Sequence, residues 1–187
     1  MRLPASIEWR GARLHLGCGA KYLDGWVNSD VVDVPVVQGK TGRPDIVLDV
    51  ERDLGWLPEN ALAQVYFSHG VEHIRPDILP GVLANFCRIL ALGGRLTLAT
   101  TDLMSIVNNR FPDKNWEGPL FGHRYSTDPL ALAHFDCFTW EKLTRLLGDA
   151  GFNRFRKWKL EEYPEIHALN DYTTTHADCT LYIEAVK

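Results

Sequence analysis

The chain has 187 residues, 45% of them apolar, and a formal net charge of −4 at pH 7. That length predicts one domain over 1–187 with enough apolar side chains for a core. No dense stripe of Lys and Arg occurs, which argues against a general affinity for nucleic-acid phosphates.

In chain order, Met1 to Gly11 holds no apolar run of signal-peptide length, and no later stretch is apolar enough to span a membrane. Short runs rich in β-branched and aromatic residues, each bounded by turn residues, predict strands at 13–16, 27–30, 45–48, 64–68 and 94–100. Residues 31–44, with Pro35, Gly39, Gly42 and Pro44, read as a loop. Ile78, Leu79, Val82, Leu83, Phe86, Ile89 and Leu90 share one face at helical spacing and predict a helix over about 77–90. Pro80 sits in its first turn, where a missing N–H costs little, and Gly93-Gly94 is expected to end it.

Residues 109–137 carry Pro112, Gly118, Pro119, Gly122 and Pro129 among aromatic residues and read as a long irregular cover over the substrate side. A second helix is predicted over Trp140 to Ala150, capped by Thr139 and closed by Gly151. Two last strands are expected near 154–160 and 180–186. Arg154, Arg156, Lys157 and Lys159 alternate with Phe155 and Trp158, as on the wet face of a strand; a phosphate patch is the second reading. The alternation of strand and helix blocks predicts an α/β fold with a parallel sheet covered by helices. The four cysteines show no C-x-x-C spacing, so reduced thiols in a cytoplasmic protein are a simpler reading than a zinc or redox motif.

The sharpest motif is Leu14-His15-Leu16-Gly17-Cys18-Gly19, a buried strand breaking into a glycine loop. Gly17 and Gly19 let the backbone turn sharply and lie close to a ligand. The third glycine of a dinucleotide fingerprint is missing, because Tyr22 occupies its place. The next strand-ending acid is Asp30, only 11 residues after Gly19, against about 20 in a nicotinamide fingerprint. A carboxylate there can accept hydrogen bonds from both ribose hydroxyls. The loop therefore suits an adenosine without a pyrophosphate, and S-adenosylmethionine ranks above NAD.

The chain resembles the class I S-adenosylmethionine-dependent methyltransferases, in particular their small type 11 branch. The resemblance is carried by the glycine loop, Gly25-Trp26-Val27-Asn28-Ser29-Asp30, Asp45-Ile46-Val47-Leu48-Asp49, the run Val65 to Ile74, and Arg88 to Leu96, in family order. It implies a Rossmann-like, seven-stranded, mostly parallel sheet with helices on both faces and a C-terminal antiparallel hairpin. It also implies methyl transfer from S-adenosylmethionine. His15, Gly17, Cys18 and Gly19 would face the amino-acid end of the cofactor, Asp30 its ribose, Asp49 and Val50 its adenine, with Ser68 also in the cofactor site. His15 departs from the family pattern, which has an acid there. It either touches the cofactor or packs as a strand histidine.

His69-Gly70-Val71-Glu72-His73 matches H-x-x-E-H, a zinc-protease pattern, but His69 directly follows a strand rather than sitting within a helix, so no metal is expected. His69 is expected to face the methyl donor, and His73 to be a structural hydrogen-bonding residue. Candidate general bases for a hydroxyl acceptor are His69, Asp102, His123, His134 and Asp136. The expected acceptor is a small molecule or a glycan-linked group, with neither nucleic acid nor membrane as partner. A binding module without turnover and an NAD-dependent oxidoreductase are the alternatives.

Overall fold

The computed structural model describes residues 7–33, 36–37, 40–112, 114–122 and 133–187. Seven strands form the main sheet: β1 (Arg13–Leu16), β2 (Val27–Asp30), β3 (Ile46–Val47), β4 (Leu62–Ser68), β5 (Leu90–Thr101), β6 (Arg154–Arg156) and β7 (Thr180–Val186). Their spatial order is β3-β2-β1-β4-β5-β7-β6. The β3-β2, β2-β1, β1-β4 and β4-β5 pairs are parallel; β7 runs antiparallel to both neighbours. This is the expected seven-stranded α/β sheet with an antiparallel C-terminal pair. Residues 157–179 separate the strands of that pair, so no tight turn joins them.

Alternation along the strands gives the sheet two unlike faces. Leu14, Leu16, Val65, Phe67, Leu96, Leu98, Leu181 and Ile183 belong to the larger apolar core. Helices α1 (Leu79–Ile89) and α4 (Trp140–Asp149) cover it, the first through Val82, Leu83 and Phe86, the second through Leu143 and Leu147. Between them in sequence lie α2 (Leu103–Asn109) and α3 (Glu117–Phe121). The caps of α4 are as expected: Thr139 accepts from Lys142 N, and Gly151 follows at φ +105°. Arg88, at the end of α1, donates to Leu54 O and Leu57 O at 2.7 and 3.0 Å, tying the helix to the chain between β3 and β4.

The opposite face is aromatic. Leu23, Trp26, Tyr66, Ala99, Trp158, Tyr163, Ile166 and Leu169 form its core. The C-terminal segment supplies half of them, with the short helices α5 (Pro164–His167) and α6 (Tyr172–Thr175). The β1–β2 crossover, residues 17–26, contains no helix. Cover on this side comes instead from the far end of the chain.

Several boundaries differ from the sequence reading. The α1 helix ends at Ile89, before Gly93-Gly94, because the chain becomes extended at Leu90. The glycines instead lie within β5, beside an irregularity in its pairing with β4. Gly93 takes φ +77°, and a Cβ on Gly94 would stand 2.8 Å from Ala91 O. The β6 strand stops at Arg156 rather than near 160. Beyond it Trp158 turns inward, and its Nε1 donates to Leu98 O at 2.9 Å. The expected strand at 45–48 pairs only over Ile46–Val47. The predicted loop 31–44 holds a two-stranded antiparallel pair, Val36–Val37 with Lys40–Thr41. No helix among the described residues is long and apolar enough to cross a membrane.

Trp158 is 2% exposed and meets Tyr66, Tyr163 and Tyr182 edge-on. Trp158→Ala removes that packing and leaves the Leu98 carbonyl without its donor. Urea denaturation should show a loss of about 3–5 kcal/mol; a loss near zero would mean that the C-terminal segment does not hold this face.

Candidate functional site

The glycine loop leaves β1 at the carboxyl edge of the sheet, beside the ends of β2 and β4. Gly17 and Gly19 have φ of +61° and +55°, the left-handed region that a side chain disfavours. The loop is fastened to β2 at two points: Cys18 N donates to Ser29 O at 2.9 Å, and Gly19 N to a carboxylate oxygen of Asp30 at 2.8 Å. The second oxygen of Asp30 receives Val32 N at 3.3 Å. Val31 and Val32, directly after Asp30, are 59% and 47% exposed, an apolar shelf beside a carboxylate. Asp49 and Val50 follow the neighbouring strand β3, both partly buried. Asp49 accepts from Glu51 N at 2.9 Å and lies 3.6 Å from Arg52 Nε. Burial pushes the Cys18 thiol up to about 12, with the charges of Asp30 and Asp45 adding to it, so the thiol is protonated at neutral pH.

His15 lies inside the protein. Its ring is 5.2 Å from that of Tyr66, and its Nδ1 meets Asn28 Oδ1 at 3.2 Å. Burial lowers its pKa to about 4, against a smaller opposing effect of the Asn28 hydrogen bond. His15 is therefore neutral at pH 7. Asn28 is the residue that sequence reasoning passed over. Its Oδ1 also accepts from Leu23 N at 2.8 Å, and its Nδ2 contacts Leu23 O, Trp26 O and Asp45 Oδ2 at 3.1 to 3.2 Å. The only signal in the sequence was an amide in the middle of a strand that has little solvent-facing surface.

The run from His69 to His73 forms a polar cluster around the buried Glu72. His69, directly after β4, takes φ +45°. Its Nδ1 is 3.0 Å from Glu72 Oε1, and its Nε2 is 3.3 Å from Thr180 Oγ1. Glu72 is wholly buried and also accepts from Thr100 Oγ1 at 2.8 Å and Thr101 Oγ1 at 3.4 Å. Burial would raise the Glu72 pKa; the hydrogen bond and charge of His69 outweigh it and hold the group at about 2. Val71–His73 form a 3-10 turn, and the α-helix starts later at Leu79. His73 Nδ1 bonds Ala133 O at 2.9 Å. Among the described residues no group of three or more His, Cys, Asp and Glu could hold a metal ion.

The remaining candidates stand at separate places along this edge. Ser68 bonds Thr173 by a short hydroxyl–hydroxyl contact. Asp102 caps α2, accepting from Met104 N at 3.0 Å and Ser105 Oγ at 2.8 Å. Asp136 pairs with Lys142 and accepts from Cys137 N at 2.8 Å. The His134 ring stands 4.8 Å from that of His73, its Nδ1 is buried without a partner among the described residues, and burial lowers its pKa. His123 lies outside the described residues. Within the expected irregular stretch 109–137, α3 is helical, and Phe111, Trp116 and Phe121 stack in sequence. Of the basic cluster, Arg156 is bonded to Glu184 at 2.7 Å and Glu162 at 2.5 Å. Lys157 lies over the Trp140 ring, 5.6 Å from its centre.

The neutral, buried His15 links folding to pH. Between pH 6.5 and about 4 the unfolded chain takes up a proton on this ring and the folded chain does not, so its contribution to stability falls as pH falls. Denaturant unfolding of wild type and His15→Gln between pH 7 and 4 should therefore converge as pH drops. Parallel curves would mean that the ring is not buried neutral.

No protein-family model matches the chain, and no curated protein matches it. Solved structures do match it in fold. A SAM-dependent methyltransferase from Archaeoglobus fulgidus is 17% identical, with TM-score 0.55 over 96% of this chain and 88% of that one. An S-adenosylmethionine-dependent methyltransferase from Mesorhizobium loti is 15% identical, with TM-score 0.53 over 97% and 94% of the two chains. The 1,6-didemethyltoxoflavin-N1-methyltransferase of Burkholderia thailandensis, solved with 1,6-didemethyltoxoflavin and S-adenosylhomocysteine, is 16% identical, with TM-score 0.53 over 95% and 72%. At these identities the likeness is one of architecture: the chain has the fold of the S-adenosylmethionine-dependent methyltransferases.

Proposed function

We propose that the chain binds S-adenosylmethionine along the carboxyl ends of β1, β2 and β4 and transfers its methyl group to a small-molecule or glycan-linked acceptor. The observation that carries this reading is the 2.8 Å bond from Gly19 N to Asp30. It fixes the acid of β2 against the glycine loop and leaves carboxylate lone pairs for a pair of ribose hydroxyls. The valine shelf after Asp30 suits a purine ring, with Asp49 and Val50 on the adjacent strand. The left-handed Gly17 and Gly19 keep side chains out of the turn that would meet the amino-acid end. The donor set thus fits an adenosine, and no third glycine or nearby helix start offers a pyrophosphate site, which keeps NAD in second rank.

When bound, the cofactor supplies an activated sulfonium methyl. The protein's part is to hold donor and acceptor in line and to exclude water. Three of the four described candidate bases already have partners: His69 with Glu72 and Thr180, Asp102 with the start of α2, Asp136 with Lys142. His134 is hydrogen-bonded to the Pro119 backbone, but among the described residues its Nδ1 is unshared and burial lowers its pKa, so it is the group best suited to take a proton from a hydroxyl acceptor. The engagement of the other three favours one alternative, a module that binds the cofactor without turnover. Transfer of tritiated methyl to any component of a small-molecule and glycan panel separates the enzyme from the module.

Calorimetry with S-adenosylhomocysteine and NAD tests the cofactor. The expected result is binding of the first and not the second, and a loss on Asp30→Ala of about tenfold or more, roughly 1.4 kcal/mol. NAD binding without S-adenosylhomocysteine binding would reverse the assignment.

A further inference from the structure

We propose that Asp171 binds the ammonium group at the amino-acid end of the cofactor, the charge that His15 does not match. This rests on the cofactor reading above. S-adenosylmethionine carries a full α-ammonium beside the glycine loop, and an anion there would bind it in preference to water. His15 cannot supply one: it is 2% exposed, neutral, and turned to Asn28.

The neighbouring carboxylates lie elsewhere, Asp30 being the one assigned to the ribose. Asp30 holds Gly19 N on the β2 side, Asp45 receives Asn28 N and Nδ2, and Glu72 is wholly buried among His69, Thr100 and Thr101. Asp171 instead meets β4. It is partly exposed, and no ion pair holds it among the described residues. Its Oδ2 accepts from Tyr66 OH of β4 at 3.4 Å, and Tyr66 packs directly on His15 of β1. Its other oxygen accepts from Thr173 N at 2.9 Å.

The surrounding chain ties the segment that carries Asp171 to the flank of the loop and to β4. Lys21, two residues after Gly19, donates Nζ to Leu169 O at 3.0 Å and to Asn170 O at 3.3 Å. Asn170 takes φ +48°, a left-handed turn that Asn tolerates, immediately before Asp171. On the far side Thr173 bonds Tyr66 and Ser68 of β4, and Tyr182 OH donates to Thr173 O at 2.7 Å. The segment that carries Asp171 is thus tied to Lys21, just after the glycine loop, and to β4 by bonds that span 148 and 105 positions in sequence, and among the described residues no ion pair reaches its carboxylate.

The test compares S-adenosylhomocysteine with its deaminated analogue, which lacks only the ammonium group, by calorimetry on the full chain. Wild type should prefer the first by about tenfold or more, and Asp171→Asn should reduce that preference to about threefold or less while binding the analogue as wild type does. A variant that keeps the preference, a wild type that shows none, or a variant that loses both ligands equally would overturn the proposal. Thermal melting checks the fold, and Asp171→Ser, which can still accept from Thr173 N, repeats the comparison if the Asn variant melts early. A wild type that binds neither nucleoside would overturn the cofactor reading itself, a result distinct from loss of the preference alone.

Discussion

The side chain of Asn28 holds together the parts of the structure on which the site depends. Parallel neighbouring strands ordinarily need a crossover of a dozen or more residues with a helix to cover the sheet. Here β1 and β2 are joined by residues 17–26 alone. One buried amide takes over the work of ordering them: it binds both the N–H and the C=O of Leu23, the carbonyl of Trp26, the His15 ring and the Asp45 carboxylate. A network of this kind is strong only when every member is satisfied, because an unpaired polar group at that depth costs more than a bond returns. With the crossover pinned, Gly17 and Gly19 are set at the sheet edge and Asp30 meets the loop.

The short crossover has a consequence at the other end of the chain. The face that a helix would cover carries Tyr66, Ala99 and Tyr182, and it is closed by residues 158–169. The same segment runs on to Lys21, Ser68 and Tyr66. Covering the sheet and approaching the glycine loop are therefore done by one piece of chain. On the other side of β4, Glu72 does for His69 what Asn28 does for the loop. It is a buried charge whose hydrogen bonds position its neighbours, and its burial is offset by three donors.

Much of the sheet was legible in the sequence because its strands are short apolar runs bounded by turn residues. Arg13–Leu16, Val27–Asp30 and Thr180–Val186 fall where alternation and punctuation put them. The helix over Leu79–Ile89 was legible from its stripe. The β6 strand was overextended because Trp158 continues a strand-like pattern yet is drawn under the sheet by a bond to Leu98. In the site, the glycine loop and Asp30 were legible from spacing. Asn28, Lys21 and Asp171 were not. Their partners lie up to 149 positions away, and such bonds leave no period in a sequence. H-x-x-E-H matches a zinc-protease pattern, but its place directly after a strand argued against a metal from the sequence; in the fold the glutamate bonds Thr100, Thr101 and His69.

The central claim is that the loop between β1 and β2 meets an adenosine ligand. Backbone amide shifts during titration with S-adenosylhomocysteine test it most directly. The account predicts that the largest changes fall at Gly17, Cys18 and Gly19, at Asp30 to Val32, and at Asp49 and Val50. Saturating ligand that leaves those amides unmoved, or changes confined to other parts of the chain, would contradict it.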